Sequence, residues 1–132
     1  MKNEIKNVSL FEAEKLQEKL QLNPKCLVLN INGNEIKNLQ NYLQFMNKAL
    51  DFPILSKSID SYNDWITDLS WLNYSEYAIF IFSYNSFMSD DLKNKAIIVN
   101  HFKEDVLPWW EGDVKKYVVG GKSKLFNVYI VE

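Results

Sequence analysis

The chain has 132 residues, a net charge of −2 and a 47% share of apolar residues, values that are typical of one globular domain and exclude a disordered polypeptide. No apolar run approaches the roughly 20 residues of a membrane-spanning helix, and the N-terminal region lacks the uninterrupted apolar stretch of a signal peptide. The single cysteine, Cys26, excludes an internal disulfide and is typical of a reducing compartment, so we expect a cytoplasmic protein with no membrane partner.

The first predicted elements are a helix over residues 9–22 and a buried strand over residues 26–31. Ser9 and Glu12 have the spacing of a capping box, which marks the start of the helix. The strand is a short apolar run bounded by turn residues, and an Asn-Gly-Asn turn follows it.

Two further helices are predicted in the middle of the chain. Asn38 is the expected cap of the first, which keeps helical spacing of its apolar residues up to Leu50 and stops before Pro53. The second follows a loop within the stretch 52–72 and carries one apolar stripe along its length. The stripe consists of Tyr62, Trp65, Ile66, Leu69 and Leu72.

The C-terminal half is predicted to hold two strands and one helix. Residues 77–82 are apolar on both faces, as in the middle strand of a parallel sheet. A helix capped at Ser89-Asp90-Asp91 is expected to end or kink at Pro108, and residues 125–131 form a last strand, placed at the sheet edge because of Asn127. The predicted inward residues of this helix are Leu92, Ala96, Val99, Phe102 and Val106. Strands separated by helices indicate parallel pairing with right-handed crossovers.

Charge is distributed unevenly along the sequence. All 15 basic residues are lysines, and the absence of arginine argues against nucleic-acid binding, since arginine is the usual donor to phosphate and guanine. No lysine lies between Ser58 and Leu92, where the acidic residues are Asp60, Asp64, Asp68, Glu76, Asp90 and Asp91. Three of them, Asp60, Asp64 and Asp68, recur every four residues opposite the apolar stripe, and like charges at that spacing are unfavourable on a helix. The pattern is that of an acidic face that binds a basic partner, whereas a simple solvated helix face is the alternative.

The stretch 52–72 resembles the corresponding part of the barstar family, the small intracellular inhibitors of secreted bacterial ribonucleases. The shared features are Phe52-Pro53, Asp60 at the opening of a helix, Asp64 four residues later and the closing run 68–72, Asp-Leu-Ser-Trp-Leu. Upstream, Ile31-Asn32-Gly33 with Ile36 shortly after is similar to the family's first strand, turn and helix. The resemblance covers the chain from about Cys26 onward.

The resemblance implies an α/β fold with a three-stranded parallel sheet packed by helices. Residues 1–132 would then form a single barstar-like domain, in which residues 1–25 are an N-terminal helical extension. It also implies that the carboxylates of Asp60 and Asp64 enter the active-site cleft of a basic nuclease, where cationic groups otherwise hold RNA phosphates. Supporting contacts to that partner are expected from Leu55, Ser58, Ile59, Asn63 and Asp68.

The loop before the acidic helix departs from the family pattern. Family members commonly follow the proline with aromatic residues and a glycine, whereas residues 54–59 here contain neither. Leu55 stands where an aromatic residue is expected, and Lys57 adds a positive charge. A barstar-fold module with a non-nuclease partner is therefore the alternative.

The sequence carries no enzymatic signature. His101 is the only histidine and no G-x-G-x-x-G run occurs, so we expect no catalytic residue, no metal and no cofactor. Asp60 and Asp64 leave a small metal-dependent hydrolase as a third option, which requires a pocket that shifts their pKa values.

Overall fold

The computed structural model describes residues 2–132, and four parallel strands form its sheet in the order β1-β4-β3-β2. The elements are β1 (Ile5–Val8), α1 (Leu10–Gln21), β2 (Cys26–Asn32), α2 (Leu39–Ala49), α3 (Ile59–Ile66), β3 (Glu76–Phe82), α4 (Leu92–His101), α5 (Val114–Tyr117) and β4 (Leu125–Val131). A 3-10 turn, Gly33–Glu35, follows β2, and two π-helical segments, Phe102–Val106 and Trp109–Asp113, lie between α4 and α5. The expected parallel α/β architecture is confirmed.

The prediction of three strands is wrong, because the N-terminal segment adds β1 to the sheet. Ile5 pairs with Val128 of β4, and the side-chain Oδ1 of Asn127 accepts a hydrogen bond of 2.9 Å from the Glu4 N–H. β4 therefore lies inside the sheet, and the prediction that Asn127 marks an edge strand is also wrong. The buried amide of Asn127 is tolerated because it binds the incoming strand.

Helices cover the two faces of the sheet unequally. α1 packs alone on one face, over a small cluster that includes Phe80 and Tyr129, whose rings stack with centroids 4.6 Å apart. The predicted capping box at Ser9 and Glu12 is present at its start. The larger core lies on the other face, beneath the helices that follow β2.

The helix that begins at α4 departs from its prediction in two ways. Leu92 is 66% exposed and Ala96 is also exposed, while the inward side chains come from Ile98, Phe102 and Val106. Pro108 does not end the helix, because the chain keeps helical geometry through Tyr117. A widened π turn before the proline gives its ring room against the preceding carbonyls.

None of the helices in residues 2–132 has the length and apolar content that a membrane crossing requires.

Candidate functional site

Helix α3 is fixed to the protein along its apolar side. Its N-cap is Ser58, whose hydroxyl accepts a hydrogen bond of 3.2 Å from the Ser61 N–H. Tyr62 and Ile66 are both 0% exposed, and the Tyr62 hydroxyl lies 2.7 Å from the Tyr42 hydroxyl of α2. A helix held in this way presents its opposite side as a rigid surface.

The C-terminal end of α3 is set by contacts from distant parts of the chain. The indole N–H of Trp110 donates a hydrogen bond of 3.0 Å to the Ile66 carbonyl, which is one of the carbonyls that a helix end leaves unpaired. Leu69 is fully buried and adopts a φ of 55°, a left-handed conformation that reverses the chain. The predicted helical stripe is therefore interrupted after Ile66, although Leu69 still enters the core.

The carboxylates of Asp60 and Asp64 project from the free side of α3 into solvent. Within residues 2–132, neither lies within 4.0 Å of a lysine nitrogen. Asp68 is exposed as well, but it follows the helix and its Oδ1 accepts a hydrogen bond of 3.2 Å from the Ser70 N–H. The prediction that all three aspartates share one helical row is therefore wrong for Asp68, which lies on the turn.

The loop before α3 is held by a buried amide. Asn47 of α2 donates to the Ser56 carbonyl at 3.0 Å and accepts from the Ser56 N–H at 2.8 Å. Leu55, next to this clamp, is 65% exposed and lines a groove of about 500 Å³ against α2. Of the other predicted contact residues, Ser58 is engaged as the N-cap and Ile59 is half-buried against the core.

Asn63, the remaining predicted contact residue, is engaged inside the protein. Its Oδ1 lies 2.7 Å from Nε2 of His101, which is 8% exposed. Burial lowers the pKa of His101 below its usual value, and the carboxylate of Asp105, 3.6 Å from Nε2, opposes that shift. Asn63 therefore fastens α3 to α4.

A second set of acidic residues lies beside α3 and was not predicted from the sequence. Asn63 and Thr67 share a groove of about 390 Å³ with Glu104, Asp105 and Asp113 from the π-helical segments. These acids are hidden in the sequence because residues 93–132 as a whole contain seven lysines against five acids. The Glu104-Asp105 doublet, close after the only histidine, is the one local signal that could have drawn attention to them.

Other kinds of site find little support in the geometry. Among residues 2–132, no three His, Cys, Asp or Glu side chains are grouped closely enough to hold a metal ion. Burial and the nearby Glu76 carboxylate raise the pKa of the Cys26 thiol to about 11, so it is a poor nucleophile near neutral pH.

Comparison with known proteins identifies one family. A family model described as "Barstar (barnase inhibitor)" matches residues 26–120. This range includes α3 with its aspartates and the acidic residues of the neighbouring groove. Searches of curated proteins and of solved structures gave no match. Since the matched range covers well over half of the sequence, the chain belongs to the barstar family.

Proposed function

We propose that this protein inhibits a basic nuclease, in particular a ribonuclease toxin, and acts as its immunity protein in the cytoplasm. The description of the family to which the chain belongs names an inhibitor of barnase, a ribonuclease. The observation that carries the proposal is the exposure of Asp60 and Asp64, without lysine partners among the described residues, on a helix that is anchored on its other side by the fully buried Tyr62 and Ile66.

The two carboxylates act by replacing the phosphates of RNA. A nuclease cleft uses cationic groups to hold the RNA backbone, and charge-assisted hydrogen bonds from these groups to a carboxylate are about as favourable as those to a phosphate. Because α3 is already anchored, little conformational entropy is lost when its aspartates enter the cleft. The uncompensated negative charge also attracts a cationic enzyme over long distances and accelerates encounter.

The neighbouring residues supply the rest of the interface. Asp68 and the groove acids Glu104 and Asp105 extend the negative surface on two sides of α3. Leu55 supplies an apolar contact at the edge of the surface, Ser58 and Ile59 line the approach to Asp60, and Asn63 holds the helix in place. The free, buried Cys26 suits a reducing cytoplasm.

The test is inhibition of a nuclease by the purified protein. The probes are barnase, which the family description names, and the product of any gene for a basic nuclease adjacent to this one. We expect one-to-one inhibition, and replacing Asp60 and Asp64 together by alanine should weaken it by about 100-fold or more, in the range of buried interfacial carboxylates.

Helix α1 provides a matched control. Glu14 and Glu18 are also exposed carboxylates one helical turn apart, but they lie on the other face of the sheet. Replacing both by alanine removes the same charge and should leave inhibition unchanged. Equal losses in the two double variants would show that net charge, and not the α3 surface, governs binding.

The altered loop favours one alternative, a module of the same fold that binds a protein other than a nuclease. Leu55 stands where an aromatic residue is expected from the family and Lys57 adds a positive charge, whereas aromatic anchors supply much of an interface's affinity. In that case no nuclease would be inhibited, whereas alanine at Asp60 and Asp64 would still abolish capture of the partner.

A further inference from the structure

A basic pocket lies where the chain enters strands β2, β3 and β4. Its volume is about 350 Å³, and none of its lining residues belongs to the acidic surface around α3. We use the name basic pocket for the set Lys25, Asn73, Tyr74, Ser75, Lys122, Ser123 and Lys124. Three cations therefore converge on one concave surface of a protein whose net charge is negative.

The three lysines have no anionic partner among the described residues. None of Lys25, Lys122 and Lys124 lies within 4.0 Å of a carboxylate oxygen in residues 2–132. Glu76, which follows the pocket residue Ser75 in the chain, is directed elsewhere, since its carboxylate lies beside Cys26 and 3.5 Å from the Asn23 amide. The positive charge of the pocket is thus left uncompensated by the protein.

Lys124 is held in place at the wall of the pocket. Its ammonium donates a hydrogen bond of 2.6 Å to the Tyr74 carbonyl and lies 5.4 Å from the ring centroid of Trp110. Burial and the positive charge of Lys122 both lower the pKa of Lys124. An anion bound between the two ammonium groups would remove that repulsion.

The pocket also contains hydrogen-bond donors that have no partner in the described residues. The hydroxyls of Ser75 and Ser123 make no side-chain hydrogen bond, and the backbone N–H groups of Lys122 and Ser123 donate to no acceptor in residues 2–132. Consecutive free N–H groups in a loop, beside cationic side chains, are the donors from which proteins build anion sites.

The sequence Gly121-Lys122-Ser123 has the composition that ends a nucleotide-binding phosphate loop, but it occupies a different structural position. In that motif the lysine and serine open a helix, whereas here they lead directly into β4. A Cβ on Gly121 would lie 2.6 Å from the Val114 carbonyl, so the glycine allows the loop to pack against α5. The donors are therefore side chains and loop amides, without a helix dipole.

We propose that the basic pocket binds the phosphate group of a small phosphorylated ligand. Ammonium groups act as point charges toward phosphate, and the hydroxyl and amide donors supply bonds to its remaining oxygens. The volume is near the lower end of the range for ligand pockets, which suits a phosphate monoester of a small molecule. The proposal does not depend on nuclease inhibition, because it concerns a separate surface.

The experiment is an NMR titration of the isotopically labelled full chain with inorganic phosphate. We expect saturable shifts of the backbone amides of Gly121, Lys122, Ser123 and Ser75. Sodium acetate and sodium chloride at the same ionic strength serve as parallel titrations, since a phosphate site should respond to neither. Shifts of equal size with acetate or chloride, or shifts that do not saturate, would overturn the proposal.

Variants of the lysines test whether phosphate binds in the basic pocket. Lys25 and Lys122 are exposed and can both be replaced by glutamine without disturbing the packed Lys124. We expect this double variant to bind phosphate about tenfold more weakly or worse, a loss of at least about 1.4 kcal/mol. Glutamine at Lys19 and Lys93, exposed lysines on α1 and α4, is the matched control and should leave the affinity unchanged. Equal weakening in both double variants would mean that phosphate responds only to net charge.

Discussion

Nε2 of His101 lies 2.7 Å from Oδ1 of Asn63 and joins α4 to the middle of the acidic helix. Because an amide oxygen accepts, Nε2 carries the hydrogen in this pair, and Nδ1 of the neutral ring is buried without a partner among the described residues. The contact fixes the orientation of α3 through a single side chain of α4, and the second ring nitrogen is the one that protonation would charge in a buried site without a partner among the described residues.

Protonation of His101 should destabilise the fold at mildly acidic pH. Burial lowers its pKa in the folded state from the usual 6.5, so the unfolded chain binds the proton more tightly. The stability contributed by the neutral ring is fully present above 6.5 and is lost as the pH falls through the lowered folded pKa. Around His101, Asp105 opposes this shift and Tyr62 packs against the ring.

The measurement is denaturant unfolding of wild type and His101→Phe at about pH 7.5 and about pH 5.5. The variant loses the bond to Asn63 and should be less stable at the higher pH, but its stability should change less between the two values. If the unfolding free energy of the variant changes between the two pH values as much as that of wild type, groups other than His101 cause the acid sensitivity.

Gly33 should not tolerate a side chain. A Cβ there would lie 2.3 Å from the Ser83 carbonyl oxygen and 2.5 Å from that of Phe82, both backbone atoms at the end of β3. Gly33→Ala is expected to destabilise the protein by about 1–3 kcal/mol or more, since backbone must shift. Gly112→Ala is the control, because nothing lies within 4 Å of its Cβ position and alanine favours helical geometry. Equal urea midpoints of unfolding for the two variants would contradict the close approach of Gly33 to the carbonyls at the end of β3.

The buried hydroxyl pair of Tyr42 and Tyr62 should show strong non-additivity. The two oxygens are 2.7 Å apart and both residues are 0% exposed. Burial raises both pKa values, so the hydroxyls stay protonated at ordinary pH. Each single change to phenylalanine leaves one buried hydroxyl unpaired and should destabilise by about 1–3 kcal/mol. The double change should be less harmful than the sum of the single changes, as a double-mutant cycle of unfolding free energies would show. Simple additivity would mean that the hydroxyls do not depend on each other.

Asn3 should be a key residue for attachment of the N-terminal strand. Its side chain donates to the carbonyls of Leu107 and Lys124, at 3.1 and 3.0 Å, and accepts from the Phe126 N–H at 3.0 Å. Asn3→Ala removes all of these bonds at a buried position, so we expect a loss of about 2–4 kcal/mol in thermal or denaturant unfolding. The exposed Asn7 of β1 is the control, and its change to alanine should have a small effect. A comparably small effect at Asn3 would show that β1 is held by its strand pairing alone.

Asp64→Asn should separate binding from stability. The side chain is exposed with no lysine within 4.0 Å among the described residues, and Asp60 lies one turn away. Removing one of two like charges should change the unfolding free energy by less than about 0.5 kcal/mol. Nuclease inhibition should nevertheless fall and lose part of its salt dependence. A large loss of stability would show that the carboxylate has a structural role.

The sequence by itself determined the local elements, the acidic character of α3 and the family. Capping residues, helical spacing and apolar runs act within a few residues, so Ser9, Asn38 and residues 77–82 could be interpreted without knowledge of distant contacts. The exposure of Asp60 and Asp64 also follows from the local pattern, since Tyr62 and Ile66 fix which side of the helix faces inward.

Tertiary structure decided the features that depend on residues far apart in the chain. β1 has only four residues, and pairing with β4 supplies the hydrogen bonds that make it a strand. The end of α3 is set by Trp110 and by the burial of Leu69, which local propensity does not encode. Glu104 and Asp105 join the acidic surface, and His101 reaches Asn63, only because α4 and its π-helical continuation pack beside α3.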